Sequence, residues 1–218
     1  KIDDLELWDD TVVIVMSDHG ISLGEHNRTG KSNICDTDER FWPLYPEISH
    51  VPFFAAGVDV PRGAGLDLLG QPVDVWPTIA GLAGLELSPT EALEGVDLAG
   101  AIRGDGSSPR NLTVSGGFVS LDEEGRVPAQ CVTPFVTNGR WGLTPLGPDG
   151  SGMELYDLGS DPLAAKNLAA ENPETVAELL QGLAAHMREH NASEALIAAW
   201  TSGAGDASVN QANNSLEY

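Results

Sequence analysis

Residues 11–17 form an unbroken apolar and largely β-branched run, TVVIVMS, that leads directly into Asp18, His19 and Gly20. Such a run is typical of a strand buried on both faces, as in a parallel sheet covered by helices. Ligands of open α/β sheets bind just beyond the carboxyl ends of these strands. We therefore predict an α/β fold with Asp18 and His19 as metal ligands, and Gly20 permits a tight turn after them. The alternative for both residues is an ordinary polar turn without a metal.

Further motifs follow this strand in a fixed order. They are SLGEH at 22–26, GKS at 30–32, HVPFFAAG at 50–57, VDVWPTIAGLAGLE at 73–86, EGVDLAGAIRG at 94–104 and MELYDLGSDPLAAKNLAAENPE at 153–174. This ordered series resembles the sulfatases of the alkaline phosphatase superfamily over about residues 1–190. The Asp-His pair, followed by GEH and HVP, is most similar to the iduronate-sulfatase and choline-sulfatase branches.

The resemblance implies an alkaline-phosphatase-like α/β fold, in which part of a mostly parallel sheet is sandwiched by helices. A small C-terminal α+β subdomain with an antiparallel sheet and a packed helix would follow. We assign residues 1–106 to the C-terminal half of the sulfatase catalytic domain, 107–200 to the subdomain and 201–218 to a tail. The composition break GDGSSP at 104–109 indicates the boundary between the first two.

The same resemblance implies hydrolysis of a sulfate ester, either a small molecule or a sulfated sugar. Asp18 and His19 would hold a divalent metal ion, and Lys31 would neutralise the sulfate oxygens. His26 would contact the substrate or transfer a proton, and its alternative is a structural role in the loop. Calcium is the metal that the resemblance favours, whereas an imidazole ligand is better suited to manganese or zinc.

A sulfatase also needs a nucleophile, a formylglycine matured from the Cys or Ser of a Cys/Ser-x-Pro-x-Arg motif. Neither Cys35 nor Cys131 lies in that context. The aspartate pairs at 3–4 and 9–10 precede the first strand, at the wrong end to complete the metal site. We therefore expect the nucleophile and the other metal ligands in a preceding N-terminal half of the same domain, and this chain to be inactive alone.

Two other functions stay open at this point. One is hydrolysis of a phosphonate or phosphate diester within the same superfamily, for which a Thr nucleophile would be the sign. The other is a non-catalytic remnant or interaction module, which would account for the lack of a nucleophile motif in a different way.

The chain is strongly acidic, with 33 acidic and 11 basic residues and a net charge of −22. This charge excludes nucleic acid as an expected partner, because phosphate binding needs a basic surface. No apolar run is long enough for a membrane span. The acidity fits either a solvated surface or adaptation to high salt, where screening relieves self-repulsion. Localisation, cytoplasmic or secreted, and oligomeric state are left open.

Residues 18–50 are predicted to form a long loop that is either functional or disordered. The sulfatase resemblance implies that it borders the substrate pocket. Its aromatic residues Phe41, Trp42 and Tyr45 would either shape substrate specificity or pin the loop down. Asp74 lies near the start of a predicted helix over 72–84. The sulfatase resemblance implies a structural helix here, so we expect Asp74 to act in capping or a local salt bridge and not as a metal ligand.

Short strands are predicted at 112–115, 131–136, 141–143 and 154–156, as in a small antiparallel sheet. The sequence Asn172-Pro173-Glu174 indicates a helix start, and an apolar face at 3–4-residue spacing would pack on that sheet. His186 and His190 have a spacing compatible with metal binding. Because cations near a helix C-terminus are favourable in any case, we assign no metal to them at this stage.

Overall fold

The computed structural model describes residues 1–31, 40–88, 93–104, 108–116, 121–123, 125, 127, 131–150 and 152–202. The chain divides into two compact units, one of Lys1–Asp18 with Val51–Thr113 and the other of His19–His50 with Val114–Tyr218. Residues 19–50 thus group with the C-terminal residues and not with the first strand. The predicted boundary at 106/107 lies outside the described residues, as does nearly all of the tail, so the domain limits stay a prediction.

The described residues form ten strands and five α-helices. The strands are β1 Val12–Met16, β2 Ser22–Leu23, β3 Thr29–Gly30, β4 Trp42–Pro43, β5 Phe53–Gly57, β6 Thr113–Ser115, β7 Val132–Thr133, β8 Phe135–Thr137, β9 Trp141–Thr144 and β10 Glu154–Asp157. The helices are α1 Pro46–Ser49, α2 Val75–Leu82, α3 Ala99–Arg103, α4 Pro173–Glu189 and α5 Glu194–Thr201. Short 3₁₀ turns lie at Asp3–Leu5, Glu25–Asn27 and Pro72–Asp74. No helix within the described ranges combines the length and apolarity needed to cross a membrane.

In the first unit, β1 pairs with β5 in an antiparallel register that runs from Val12↔Gly57 to Met16↔Phe53. The prediction of a strand directly before Asp18 is confirmed. The prediction that this strand is buried on both faces is wrong for this chain, because Val15 is 58% exposed. Among the described residues β5 is its one strand partner, so an apolar sequence does not by itself make a buried strand.

The carboxylate of Asp74 anchors the start of α2. It accepts hydrogen bonds from the N–H groups of Gln71 at 2.6 Å and Val96 at 2.9 Å. Two guanidinium nitrogens of Arg110 lie 2.5 and 2.7 Å from its oxygens, and Asp74 is 1% exposed. The predicted capping is confirmed by the hydrogen bond from Gln71, whereas the salt bridge is not local, because Arg110 is 36 residues away in the chain.

The second unit is built on a four-stranded sheet with the order β10-β9-β8-β6. The predicted small antiparallel sheet is confirmed in the β10/β9 and β8/β9 pairs, and α4 packs against β8 and β9. Leu179, Leu183 and Met187 form the buried face of α4 at the predicted helical spacing. Ser193 caps α5 by accepting a hydrogen bond from the Leu196 N–H at 3.2 Å.

The aromatic residues of the predicted loop are core residues of this second unit. Phe41, Trp42 and Tyr45 are only 6%, 3% and 2% exposed. The two-residue strand β4 pairs in parallel with β7, and the Arg28 guanidinium lies 4.2 Å from the centroid of the Trp42 ring. Of the two roles left open by the sequence, pinning the loop is the one that the structure supports.

Candidate active site

His19 and Lys31, both in the second unit, lie side by side. Lys31 follows β3, and its Nζ is 2.7 Å from His19 Nε2. His19 Nδ1 is 2.8 Å from the carbonyl oxygen of Gly20, which can only accept, so Nδ1 carries the proton. The lone pair of Nε2 therefore points at the cationic ammonium group of Lys31. A backbone carbonyl that fixes the tautomer in this way is typical of histidines that bind metal ions.

Asp18 is exposed and is the last residue of the first unit. The peptide bond to His19 holds the two Cα atoms about 3.8 Å apart. A carboxylate and an imidazole in adjacent positions are an ordinary part of a divalent metal site. The chemistry of this donor set fits the metal ion that the sequence resemblance implies.

Gly20 is required by a close approach of the backbone to α1. A Cβ atom at this position would lie 1.9 Å from the carbonyl oxygen of Glu47. The Gly20 N–H donates to the carbonyl oxygen of Ile48 at 2.8 Å, which fixes the chain directly after His19. A tight turn was predicted as the reason for this glycine, whereas the backbone of α1, 27 residues further on, is what excludes a side chain here.

His26 is bonded to the protein at both ring nitrogens. Nδ1 lies 2.9 Å from the Glu47 carboxylate, and Nε2 lies 2.9 Å from the carbonyl oxygen of Ala164. Glu47 also accepts a hydrogen bond from the Ser22 hydroxyl at 3.1 Å. Both acceptors lack a proton, so the ring donates twice and is favoured as the imidazolium.

These contacts shift the pKa values of both partners. Burial acts to lower the pKa of His26, but the hydrogen bonds to Glu47 and Ala164 outweigh it, so the pKa is raised. Burial acts to raise the pKa of Glu47, but the hydrogen bond from His26 outweighs it, so the pKa is lowered. A charged pair holds His26 in a left-handed backbone conformation, with φ of 51°.

Tyr45 covers the other side of His26. The two rings stack with centroids 3.6 Å apart and an interplanar angle of 7°. The Tyr45 hydroxyl donates to Glu154 Oε2 at 2.5 Å, and the Tyr156 hydroxyl donates to the same oxygen at 2.9 Å. His26 thus joins the loop to β10. The structure supports the structural alternative for this residue, and its predicted contact with substrate stays a prediction.

Spacing in the sequence gave no signal for the residues that surround His26. Glu47 is 21 positions from His26, and Ala164 is 138 positions away.

Cys131, one of the two cysteines considered for the nucleophile, is half-buried, and burial raises the pKa of its thiol to about 11. The other, Cys35, lies outside the described residues.

Comparison with known proteins identifies the family. A profile of the family described as Sulfatase matches residues 1–85, which include Asp18, His19 and Lys31. A Δ4,5-hexuronate-2-O-sulfatase of Bacteroides thetaiotaomicron is 31% identical over 164 residues, which are 74% of this chain and 31% of that protein. The chain belongs to the sulfatase family. The sulfatase resemblance drawn from the ordered motifs is thereby confirmed.

Two further proteins are similar to this sulfatase chain. The low-salt glycan biosynthesis sulfotransferase Agl7 of Haloferax volcanii is 35% identical over 98 residues, 45% of this chain and 22% of that protein. The solved structure of a 2-O GAG sulfatase matches with a TM-score of 0.63 and 29% identity, over 83% of this chain and 37% of that one. The predicted α/β fold class of sulfatases is therefore confirmed. The chain spans 31% of the length of the hexuronate sulfatase and 37% of the solved one.

Proposed function

We propose that this chain supplies half of the metal and sulfate site of an enzyme that hydrolyses sulfuric esters. The observation that carries the proposal is the distance of 2.7 Å between Lys31 Nζ and His19 Nε2, in a segment that matches the sulfatase profile. The imidazole can bind a metal ion, and the neighbouring ammonium group can bind an anion. Together they suit an anionic substrate that is held next to a metal ion.

In this proposal Asp18 and His19 are the metal ligands. His19 would bind through Nε2, because Nδ1 donates its proton to the Gly20 carbonyl, and the Lys31 ammonium group would then move from Nε2 to the sulfate oxygens. Calcium is the first candidate for the ion, with manganese and zinc as the alternatives that suit an imidazole. When bound, the ion would supply Lewis-acid polarisation of the sulfate oxygens.

Lys31 would bind the sulfate group and stabilise the negative charge that grows on its oxygens during reaction. Its ammonium group is exposed, which leaves it accessible to substrate. His26 would act as a positioning residue, since its contacts with Glu47 and Ala164 fix the loop that connects β2 and β3. The formylglycine nucleophile and the remaining ligands would come from residues N-terminal to this chain.

The substrate class that we propose is a sulfated sugar or a small sulfate ester. The relative from Bacteroides thetaiotaomicron is named as a sulfatase of a hexuronate, which favours the sugar. A second candidate reaction is transfer of the sulfuryl group to an acceptor other than water. It is favoured by the similarity to a relative named as a sulfotransferase of glycan biosynthesis.

Product analysis would distinguish these reactions. The chain is expressed together with the coding sequence that precedes it and is incubated with sulfated uronides, an aryl sulfate and an aryl phosphonate. Release of inorganic sulfate into water is the expected result. A sulfated acceptor without free sulfate would indicate transfer, and phosphonate cleavage alone would indicate the phosphonate or phosphodiester hydrolase. No turnover, with no nucleophile motif upstream, would indicate the non-catalytic remnant or interaction module.

The metal is tested on the same protein by elemental analysis after dialysis. We expect about one divalent ion in the wild type. Asp18→Ala should lose it, whereas Asp67→Ala, on an exposed loop, should keep it. Equal metal content in the wild type and in Asp18→Ala would refute the assignment of the ligands.

A further inference from the structure

The last turn of α4 carries a second group of metal-type ligands that the sulfate site does not use. His186, Glu189 and His190 form the pattern His-x-x-Glu-His. Their ligand atoms all lie within 4.8 Å of one another, and the two imidazole centroids are 4.4 Å apart. We propose that these three side chains bind a divalent transition-metal ion of the zinc class.

Helix geometry brings the ligands together. The His190 N–H donates to the carbonyl oxygen of His186 at 3.1 Å, so the spacing of one turn persists to the end of the helix. Side chains four residues apart lie on the same face. Bonds of about 2.0–2.1 Å in a tetrahedral site separate neighbouring ligand atoms by about 3.4 Å. Rotation of the side chains closes the remaining distance without movement of the backbone.

The rest of the helix holds this turn in place. On the adjoining face Leu179, Leu183 and Met187 are 1%, 0% and 0% exposed, so α4 is fixed against its sheet. The positive charge nearest in sequence is directed elsewhere, because the Arg188 guanidinium binds both oxygens of Glu194 at 2.8 and 3.0 Å. The carbonyl groups of the helix end add partial negative charge that favours a cation.

Two imidazoles and one carboxylate select a borderline ion such as Zn²⁺ over Ca²⁺ or Mg²⁺, which prefer oxygen ligands. Glu189 is the third ligand, which the spacing of the two histidines alone does not indicate. An ion at this position bridges the last turn of α4 immediately before Asn191, whose φ of 60° turns the chain toward α5. Because all three ligands belong to the end of α4, the role assigned to the ion is to hold the last turn of this helix.

The test is equilibrium dialysis of the 218-residue chain against Zn²⁺, made in a His19→Ala background so that the proposed sulfate site is not counted. His186→Ala combined with His190→Ala should lower the Zn²⁺ affinity on the order of 100-fold, since one ligand remains. His50→Ala, which changes an exposed histidine outside this turn, should leave it unchanged. Equal Zn²⁺ binding by the background protein and by the double variant would overturn the proposal.

A second measurement needs no change in α4. In NMR spectra of the same background protein, one equivalent of Zn²⁺ should shift the imidazole signals of His186 and His190, and Ca²⁺ should not. Shifts confined to His26 and His50 would overturn the proposal. Neither result depends on sulfatase activity, so failure here and failure of the proposed function are separate outcomes.

Discussion

At the scale of single residues, His26 illustrates contacts that a local motif does not reveal. Its position in the SLGEH motif indicated substrate contact or proton transfer. Its partners are a carboxylate 21 residues away and a carbonyl 138 residues away. Local spacing carries no information about contacts at that range, so the ion pair could not be predicted. His19 and Lys31, 12 residues apart, were predicted to share a site, and the structure brings them into contact.

The His26–Glu47 pair predicts a pH window of stability. The pKa of His26 is raised when folded, so its contribution is fully present below its unfolded value of about 6.5 and is lost as pH rises through the folded value. The pKa of Glu47 is lowered, so its contribution is present above about 4.3 and is lost as pH falls through the folded value. The contributions of His26 and Glu47 together therefore stabilise the fold most between about pH 4.3 and about pH 6.5.

Urea unfolding at several pH values checks this window. The free energy of unfolding of the wild type should exceed that of Glu47→Gln most at about pH 5.5, and the difference should shrink as the pH rises beyond the unfolded histidine value of about 6.5. Glu171→Gln, at an exposed lysine pair, serves as the control with no such profile. A difference between the wild type and Glu47→Gln that is independent of pH would contradict the charged pair.

Gly20→Ala should destabilise the second unit by about 1–3 kcal/mol, the usual cost of overpacking. The new Cβ would lie 1.9 Å from a backbone oxygen, so the chain after His19 has to move away from α1. Gly65→Ala is the matched control, since a Cβ there meets nothing within 4 Å and its φ is not positive. Urea unfolding of both variants measures the effect. A Gly20→Ala protein as stable as the wild type would exclude the close approach.

At the scale of elements, periodicity predicted α2, α4 and the C-terminal strands, because each has a pattern that matches its own geometry. The burial of β1 was not predictable in the same way. Its run of apolar residues indicates that the strand favours apolar contacts. Whether neighbouring elements provide those contacts depends on the whole sheet. Val15 and Phe54 are accordingly 58% and 65% exposed.

The ion pair between Asp74, directly before α2, and Arg110, beyond the end of α3, predicts a large effect on stability. Asp74→Ala should destabilise the first unit by about 3–5 kcal/mol, because it leaves a largely buried guanidinium without its carboxylate. Glu171→Ala, which removes an exposed partner of Lys166, should change stability by less than about 1 kcal/mol. Chemical denaturation measures both values. Similar small losses in the two variants would contradict the importance of the buried pair.

At the scale of the whole molecule, the order of short motifs predicted the sulfatase family, although each motif alone was weak. The grouping of residues 19–50 with the C-terminal residues was not foreseen. Contacts of Tyr45 with Phe135 and Tyr156, which are distant in sequence, contribute to it.

The net charge of −22 predicts stability that increases with salt. Screening weakens the repulsion among 33 acidic residues, and the Debye length falls from about 10 Å at 0.1 M to about 3 Å at 1 M. The melting temperature should therefore rise between 0.1 M and 1 M KCl by several degrees, a shift of about 1 kcal/mol or more in stability. A melting temperature unchanged over this range would rule out adaptation to high salt.

The rate of sulfate release by Lys31→Ala tests the proposed site most directly. In the protein expressed with its preceding coding sequence, loss of the ammonium group should lower kcat about 100- to 1000-fold, because developing charge on sulfate loses a partner. Lys166→Ala, which changes an exposed lysine paired with Glu171, should retain the wild-type kcat. If Lys31→Ala releases inorganic sulfate as fast as the wild type, Lys31 does not bind the reacting group and the proposed sulfate site is wrong.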